Sequence, residues 1–260
     1  MEQTRAKFIK SLLIGAGSVP ILIQACKKDA MGSSTTGTTS GSEASSDTCI
    51  VSPTEEEGPF PYTADGTTRN ELSNPLNRAD IRSNSSDGVL QTGIPLALEI
   101  LIVNASKNCV AIEGARVDLW HCNRYGWYSG YGGQSGGLSG QSTSYIGQNW
   151  LRGYQLTDAN GQAAFTTVYP GWYQGRATHI HFEVFINSVL KKTTQLTFPE
   201  TISDAVHQSS LYSAHGVNTT RNASDSVFGD SAADLANEVF AMTGDLTNGY
   251  IATHTIGIDL

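Results

Sequence analysis

The sequence predicts an all-β fold, specifically an antiparallel β-sandwich with long loops that carry the functional residues. Two observations predict the sheets: apolar and polar residues alternate with period two in several stretches, and turn residues separate these stretches at regular intervals. The alternation is clearest in HIHFEVFI at 179–186, where every even position is apolar and the odd positions include two histidines and a glutamate. This pattern is typical of a strand with one face in the core.

The other predicted strands show the same alternation or a short apolar run between turn residues, and they are 95–103, 115–122, 151–156, 163–169, 193–198 and 249–258. Asp158-Ala159-Asn160-Gly161 lies between two of them and is a strong hairpin signal. Residues 126–147 contain eight glycines and predict a long irregular loop, which is uncommon unless the loop has a function. One short helix is predicted at 232–242.

The first 25 residues predict an export signal that is not part of the fold. Three basic residues precede a short apolar segment at 11–25 that ends in alanine. Ile23-Gln24-Ala25-Cys26 then resembles a bacterial lipobox, with Gln24 as its unusual position. An ordinary secretory signal with a chance cysteine stays open. The export route also stays open, because 4–10 matches a twin-arginine signal only in part.

Residues 26–48 are rich in Ser, Thr and Gly and predict a flexible tether after the lipidated Cys26, and 49–260 form the folded domain. We therefore expect an exported bacterial lipoprotein, periplasmic or on the cell surface, attached to a membrane only through a lipid on Cys26. The formal charge of −8 without a basic run argues against nucleic acid as a partner. The oligomeric state is left open.

Three cysteines follow the lipidated one: Cys49, Cys109 and Cys122. An oxidising compartment favours a disulfide, and an odd count leaves one thiol over. The sequence does not determine which two of them pair.

Two features point to a functional site. His179 and His181 would lie on one face of their strand with Cα atoms about 6.6 Å apart, close enough to share one metal ion. All four tryptophans lie between positions 120 and 172, together with most tyrosines. This concentration favours a pocket for a flat, partly polar ligand, and an aromatic-rich edge or a carbohydrate platform is the alternative.

Several motifs in this region together resemble the intradiol ring-cleavage dioxygenases, and within them the secreted or surface-attached branch related to protocatechuate and catechol dioxygenases. The motifs are Trp120-His121-Cys122 followed by Tyr128, Thr157-Asp158-Ala159-Asn160-Gly161, Pro170-Gly171-Trp172-Tyr173, Arg176-Ala177-Thr178-His179-Ile180-His181-Phe182, Glu57-Gly58-Pro59-Phe60 and Thr194-Gln195-Leu196. The resemblance runs from about Cys49 to Phe228.

The resemblance implies one iron(III) per chain, held by Tyr128, Tyr173, His179 and His181. It also implies two catalytic roles: Arg176 stabilises developing negative charge, and Tyr173 leaves the metal when substrate binds. Weaker matches, beside the ligands or the substrate, are Gln195, Trp172, Gly58 and Pro59. His121 is interpreted as a packing residue or a neighbour of the ligands, and Arg152 as a loop or salt-bridge residue.

The chemistry of the residues agrees with this metal. Phenolate is a hard anionic oxygen donor, so it suits a trivalent iron better than zinc or copper(I). A free tyrosine has a pKa near 10, and a bound cation of high charge can lower that pKa enough to ionise it at neutral pH.

The implied reaction cleaves a catechol-type ring with O2 to a cis,cis-muconate-type dicarboxylate, with a small aromatic diol and O2 as the reactants. Two other functions stay open: a non-catalytic surface module that binds aromatics or sugars, and a zinc-dependent hydrolase that uses the His179/His181 pair. The sequence does not identify which catechol is the substrate.

Overall fold

The computed structural model describes residues 50–61 and 76–260, which belong to one compact unit. The predicted export signal, the predicted lipidation site Cys26 and the predicted tether lie outside the described residues, as does Cys49. Within the described ranges, no helix is long and apolar enough to cross a membrane.

The described chain is mostly strand, with little helix. Its strands are, in order, β1 (Pro95–Asn104), β2 (Val110–Ala111), β3 (Arg116–Trp120), β4 (Arg152–Leu156), β5 (Gln162–Val168), β6 (His179–Ile186), β7 (Val189–Thr197), β8 (Ala241–Asp245) and β9 (Gly249–Ile258). Its α-helices are α1 (Glu200–Gln208) and α2 (Ala232–Leu235), and short 3-10 helices occupy Ala105–Lys107 and Asn222–Ser224.

The strands form two sheets. One has the order β4-β3-β6-β7, and all of its pairs are antiparallel. The other has the order β2-β1-β9-β8, with β5 also paired to β1. Here β1 and β9 run parallel, so the prediction of a purely antiparallel arrangement is wrong at this pair. Parallel neighbours need a long connection, and β1 and β9 are the first and last strands of the described chain.

One apolar core contains side chains from both sheets. It includes Leu98 and Ile100 of β1, and Ile180, Phe182 and Val184 of β6, all fully buried. The even positions of β6 therefore point into this core, as the alternation predicted. The odd positions, with His179 and His181, point to the opposite face, which is also buried because loops cover it. This second buried face of β6 is where the candidate site lies.

The predicted helix at 232–242 is only partly present. It begins where the Ser231 side chain accepts a hydrogen bond from the Asp234 N–H, and it ends at Leu235. Residues from Ala241 instead form β8, which pairs with β9 as a hairpin. Pairing with the next strand determines this conformation and overrides the helical pattern that predicted 232–242. Helix α1, which follows Pro199, was not predicted.

Candidate metal centre

Four side chains from three segments converge on the buried outer face of β6. His179 and His181 come from β6 itself, Tyr128 from the loop after β3, and Tyr173 from the turn after β5. The Gln134 side chain fixes the backbone at Tyr128, since its Oε1 accepts from the Tyr128 N–H at 2.8 Å and its Nε2 donates to the Tyr128 carbonyl at 2.8 Å. The glycine-rich loop 126–147 therefore supplies, at Gln134, the side chain that fixes the backbone of Tyr128 in the same loop.

The polar atoms of these four side chains lie at ligand spacing. The Tyr128 Oη is 3.1 Å from the His181 Nε2 and 3.3 Å from the His179 Nε2. The two Nε2 atoms are 3.1 Å apart, and the Tyr173 Oη is 3.5 Å from the His179 Nε2. Two bonds of about 2.1 Å that meet at a metal at 90–110° end roughly 3.0–3.4 Å apart. The four atoms therefore fit around a single ion.

The hydrogen bonding of His179 defines how it faces the others. Its Nδ1 lies 2.6 Å from the Ala177 carbonyl, which can only accept, so Nδ1 carries the proton and Nε2 presents a lone pair. The plane of His181 is set by Trp120, whose ring stacks on it at 4.9 Å with an angle of 4°. The His179 Nε2 lone pair is thus directed at the place that the His181 Nε2, 3.1 Å away, and the Tyr128 Oη, 3.3 Å away, also face. The arrangement thus matches a metal site.

Burial shifts the four side chains toward their neutral forms. It raises the pKa of Tyr128 well above its ordinary value and the pKa of Tyr173 to about 12. Burial, with the charge of Arg176 as a smaller cause, lowers the pKa of His179 to about 3, and burial also lowers the pKa of His181 well below its usual range. Neutral imidazole is the form that binds metals. The tyrosines need a cation of high charge to ionise here.

Arg176 and Gln195 lie directly beside this cluster. The Arg176 Nη1 is 3.5 Å from the Tyr173 Oη, and its Nη2 donates to the Gln195 Oε1 at 2.7 Å. The Gln195 Nε2 in turn donates to the Glu56 carbonyl at 2.8 Å. Both residues named from the sequence are therefore close to the four donors, and Gln195 connects Arg176 to the segment 50–61, hereafter the N-terminal strap.

The N-terminal strap covers the cluster from one side. Gly58 has φ +78°, and a Cβ there would lie 2.9 Å from the His181 Cε1. Phe60 stacks on Tyr128 with ring centroids 4.7 Å apart. The sequence analysis identified Phe60 only as part of the motif Glu57-Gly58-Pro59-Phe60. Pro59 is exposed. Arg152 lies in β4 rather than in a loop, and its Nη1 donates to the Phe60 carbonyl at 3.0 Å, which holds the strap in place.

Two further residues from the sequence motifs lie away from the four donors. Trp172 stacks on His215 at 3.9 Å, and its Nε1 donates to the Gly216 carbonyl at 3.0 Å. His121 is fully buried, with its Nδ1 2.8 Å from the Cys122 carbonyl and its Nε2 2.7 Å from the Thr167 Oγ1. Both ring nitrogens of His121 thus have hydrogen-bond partners in the protein interior, which fits the packing role predicted for His121.

The cysteine prediction is partly resolved. Cys109 is disulfide-bonded, whereas Cys122 is a free, buried thiol. Cys122 packs with Trp120, Tyr128 and Tyr173, beside the candidate site.

Replacing Gly58 with alanine is expected to weaken metal binding by about 10–100-fold, the usual cost of disturbing a group that orients a ligand. The new methyl group would push on the His181 ring. Gly88→Ala is the matched control, because Gly88 has φ +71° and an added Cβ would contact nothing within 4 Å. Both variants carry the same backbone strain. Metal titration of the two proteins tests this, and equal affinities would contradict it.

Comparisons with known proteins agree on one family. A family model described as "Dioxygenase" matches residues 67–237. An intradiol ring-cleavage dioxygenase from Tetranychus urticae is 24% identical, covers 81% of this chain and 95% of its own, and superposes with a TM-score of 0.67. The dioxygenase domain of a carbohydrate-binding fusion protein from Streptomyces sp. SirexAA-E is 22% identical, covers 81% and 99%, and has a TM-score of 0.53. At these identities the structural likeness shows a shared fold. A search of curated proteins finds no match.

Proposed function

Because the chain belongs to the intradiol ring-cleavage dioxygenase family, we propose that it is a non-haem iron(III) enzyme that opens a catechol-type ring with O2. The product is a cis,cis-muconate-type dicarboxylate, and each chain, folded as a β-sandwich, holds one iron. One observation carries the proposal: the phenol oxygens of Tyr128 and Tyr173 and the Nε2 atoms of His179 and His181 lie within 3.1–3.5 Å of their nearest neighbours in the set.

The donor set fits iron(III). Two phenolates are hard anionic ligands that offset most of a trivalent charge, and two neutral imidazoles complete the set without adding charge. Ferric iron, when bound, would withdraw electron density from a chelated catecholate and make its ring reactive toward O2.

The two tyrosines differ in a way that separates their roles. Tyr128 is fully buried, and its Oη is close to both histidines. Tyr173 is 9% exposed, lies at the longest of the four distances, and has a guanidinium nitrogen beside its Oη. Tyr173 is therefore the side chain that would give way to substrate. Its phenolate oxygen would take up one of the two catechol protons, and a hydroxide that balances the third ferric charge would take up the other. Tyr128 stays in place.

Arg176 is placed to stabilise negative charge where Tyr173 departs. Its Nη1 lies 3.5 Å from the Tyr173 Oη and is buried, so its positive charge acts through little water. Phe60 and Tyr131 form an aromatic wall next to Tyr128, with Phe60 centred 4.7 Å from Tyr128 and 5.2 Å from Tyr131. This wall offers a flat, apolar surface to an aromatic ring and excludes water.

The donor set also separates this function from a zinc hydrolase. Catalytic zinc is usually held by three His, Cys, Asp or Glu side chains. Across 50–61 and 76–260, no group of three such residues is placed to hold a metal. The groups that complete the histidine pair are phenols, which favours iron(III).

The decisive experiment measures metal content, colour and O2 uptake on the purified protein with a panel of catechols. We expect about one iron per chain, a red-brown colour from tyrosinate-to-iron charge transfer, and consumption of O2 with formation of a muconate-type product. An iron-loaded but colourless protein would overturn the ligand set. Colour without turnover on any catechol would indicate a binding module, and zinc with hydrolytic activity would indicate a hydrolase.

We further propose that the enzyme is exported and held at a membrane through a lipid on Cys26. The basic and apolar signal, the lipobox-like sequence and the polar tether support this. Cys26→Ser, once its signal is cleaved, is expected to move from the membrane fraction to the soluble exported fraction, because the sequence of the tether contains almost no apolar residue. Ser33→Ala in the tether is the control. A Cys26→Ser protein that has lost its signal and still stays with the membrane would contradict the anchor.

A further inference from the structure

Asp225 was not identified from the sequence, yet it makes the densest set of polar contacts near the centre. It directly follows the 3-10 turn Asn222–Ser224 and is 3% exposed. Its Oδ2 accepts from the Arg176 Nε at 3.0 Å and from the Ala177 N–H at 2.5 Å. Its Oδ1 accepts from the Arg176 Nε at 3.2 Å, and from the N–H groups of Val227 at 2.8 Å and Phe228 at 3.3 Å.

The contacts of the Arg176 guanidinium leave one of its nitrogens, Nη1, directed at the candidate metal centre. Asp225 holds Nε, and Gln195 accepts from Nη2 at 2.7 Å. The guanidinium carbon lies 5.8 Å from the centroid of the Phe228 ring, which limits movement out of plane. Nη1 is then the nitrogen that faces the Tyr173 Oη, 3.5 Å away. A long side chain that would otherwise sample many rotamers is fixed in one.

Asp225 stays ionised in this setting. Burial alone would raise the pKa of its carboxyl, but the charge of Arg176 and the hydrogen bonds it accepts hold that pKa below the usual range. Its negative charge reduces the net positive charge that Arg176 presents to an anionic substrate. Removing the negative charge of Asp225 can therefore have two opposite effects. The reaction would become faster if Asp225 acts mainly by reducing the positive charge that Arg176 presents. It would become slower if Asp225 acts mainly by holding the Arg176 guanidinium in position.

We propose that Asp225 is a positioning residue for ring cleavage, which holds the Arg176 guanidinium so that Nη1 faces the place where Tyr173 yields to substrate. The proposal rests on the function proposed above and assigns a role to a residue from the loop between α1 and α2. Asp225 touches none of the four candidate ligands in the hydrogen bonds described. Its contacts beside the centre are Arg176 and the N–H of Ala177, whose carbonyl faces the His179 Nδ1, so unchanged iron content and colour in an Asp225 variant would assign its effect to Arg176.

The test is a double-mutant cycle with Asp225→Asn and Arg176→Ala. Asparagine is nearly the same size, and its Oδ1 can still accept from Val227 and Phe228, but its NH2 group would oppose the Arg176 Nε–H. We expect Asp225→Asn to lower kcat at least about 10-fold, with iron content and the charge-transfer band unchanged. The double variant should be no slower than Arg176→Ala alone, since residues that act as one unit are not additive.

The control is Asp204→Asn, the same substitution at a partly exposed carboxylate paired with Arg221, which should leave kcat within about 2-fold of the wild type. Additive losses in the cycle, or a faster Asp225→Asn enzyme, would overturn the proposal. If Asp225→Asn does not fold, Asp225→Ser repeats the cycle with a hydroxyl that can still accept from the loop. Loss of iron in both variants would make Asp225 a structural residue and also overturn the proposal. A wild type without ring cleavage would instead remove the proposed function.

Discussion

Tyr128→Phe is expected to lose the bound iron and the red-brown colour while keeping the fold. Tyr128 is fully buried, and its Oη is 3.1 and 3.3 Å from the two histidine Nε2 atoms. Phenylalanine keeps the ring that stacks on Phe60 but removes one of the two phenolates that would offset the ferric charge. The remaining site would bury an additional positive charge, which is unfavourable in an apolar interior.

The expected loss of iron affinity is at least about 100-fold, because disturbing groups that only orient ligands already costs about 10–100-fold. Tyr131→Phe is the matched control. Its ring also packs on Phe60, but its Oη donates to the Pro61 carbonyl at 2.9 Å and faces the strap. Iron content and the visible spectrum of both variants decide the matter. A Tyr128→Phe protein with wild-type iron and colour would show that Tyr128 is not a ligand.

The strands that could be predicted from the sequence are those in which one face lies in the core. β6 and β9 have the bounds that the period-two pattern predicted, because their alternate residues pack in the shared apolar cluster. β7 begins at Val189, earlier than predicted. The sequence missed its first residues because they are exposed, so they show no alternation of apolar and polar positions.

Pairing between distant segments could not be predicted. β1 and β9 run parallel at opposite ends of the described chain, and neither carries a local sign of its partner's direction. Ala241–Asp245 is a different case, because it pairs with the next strand, β9, in a hairpin although 232–242 predicted one helix. There the sheet overrides the local preference for helix.

The residues of the candidate site also fall into two groups: those that a local sequence pattern indicated, and those that only tertiary contacts bring to the site. The spacing of the two histidines pointed to a shared metal ion, and motifs that resemble a family assigned them, the tyrosines, Arg176 and Gln195 to the site. Asp225 lies in none of these motifs, and its contacts with Arg176 and the Ala177 N–H arise from the way its loop folds. Arg152 was interpreted as a loop or salt-bridge residue; it lies in β4 and not in a loop, and it donates to backbone carbonyls of Ser129 and Phe60. Such roles depend on contacts that no short stretch of sequence contains.

Arg176→Ala is expected to keep iron and colour but to lower kcat by about 10²–10³-fold, the usual effect of removing one preorganised charge-stabilising donor. Arg176 touches the cluster only through Nη1, 3.5 Å from the Tyr173 Oη, so it is not a metal ligand. Its charge matters most when negative charge builds up on the substrate. Binding of the neutral catechol depends on it less, so we expect KM to change far less than kcat.

The control for lost charge is Arg221→Ala, which breaks an exposed ion pair with Asp204 and should leave kcat unchanged. Removing Arg176 also leaves Asp225 buried without its partner, so stability must be measured beside activity. Arg176→Lys separates the two effects, because lysine keeps the charge next to Asp225 but lacks the planar fork that reaches both Gln195 and Tyr173. Arg176→Lys should therefore recover stability while kcat stays well below the wild type. Wild-type kcat in an iron-loaded Arg176→Ala enzyme would show that charge stabilisation in this site comes from another group.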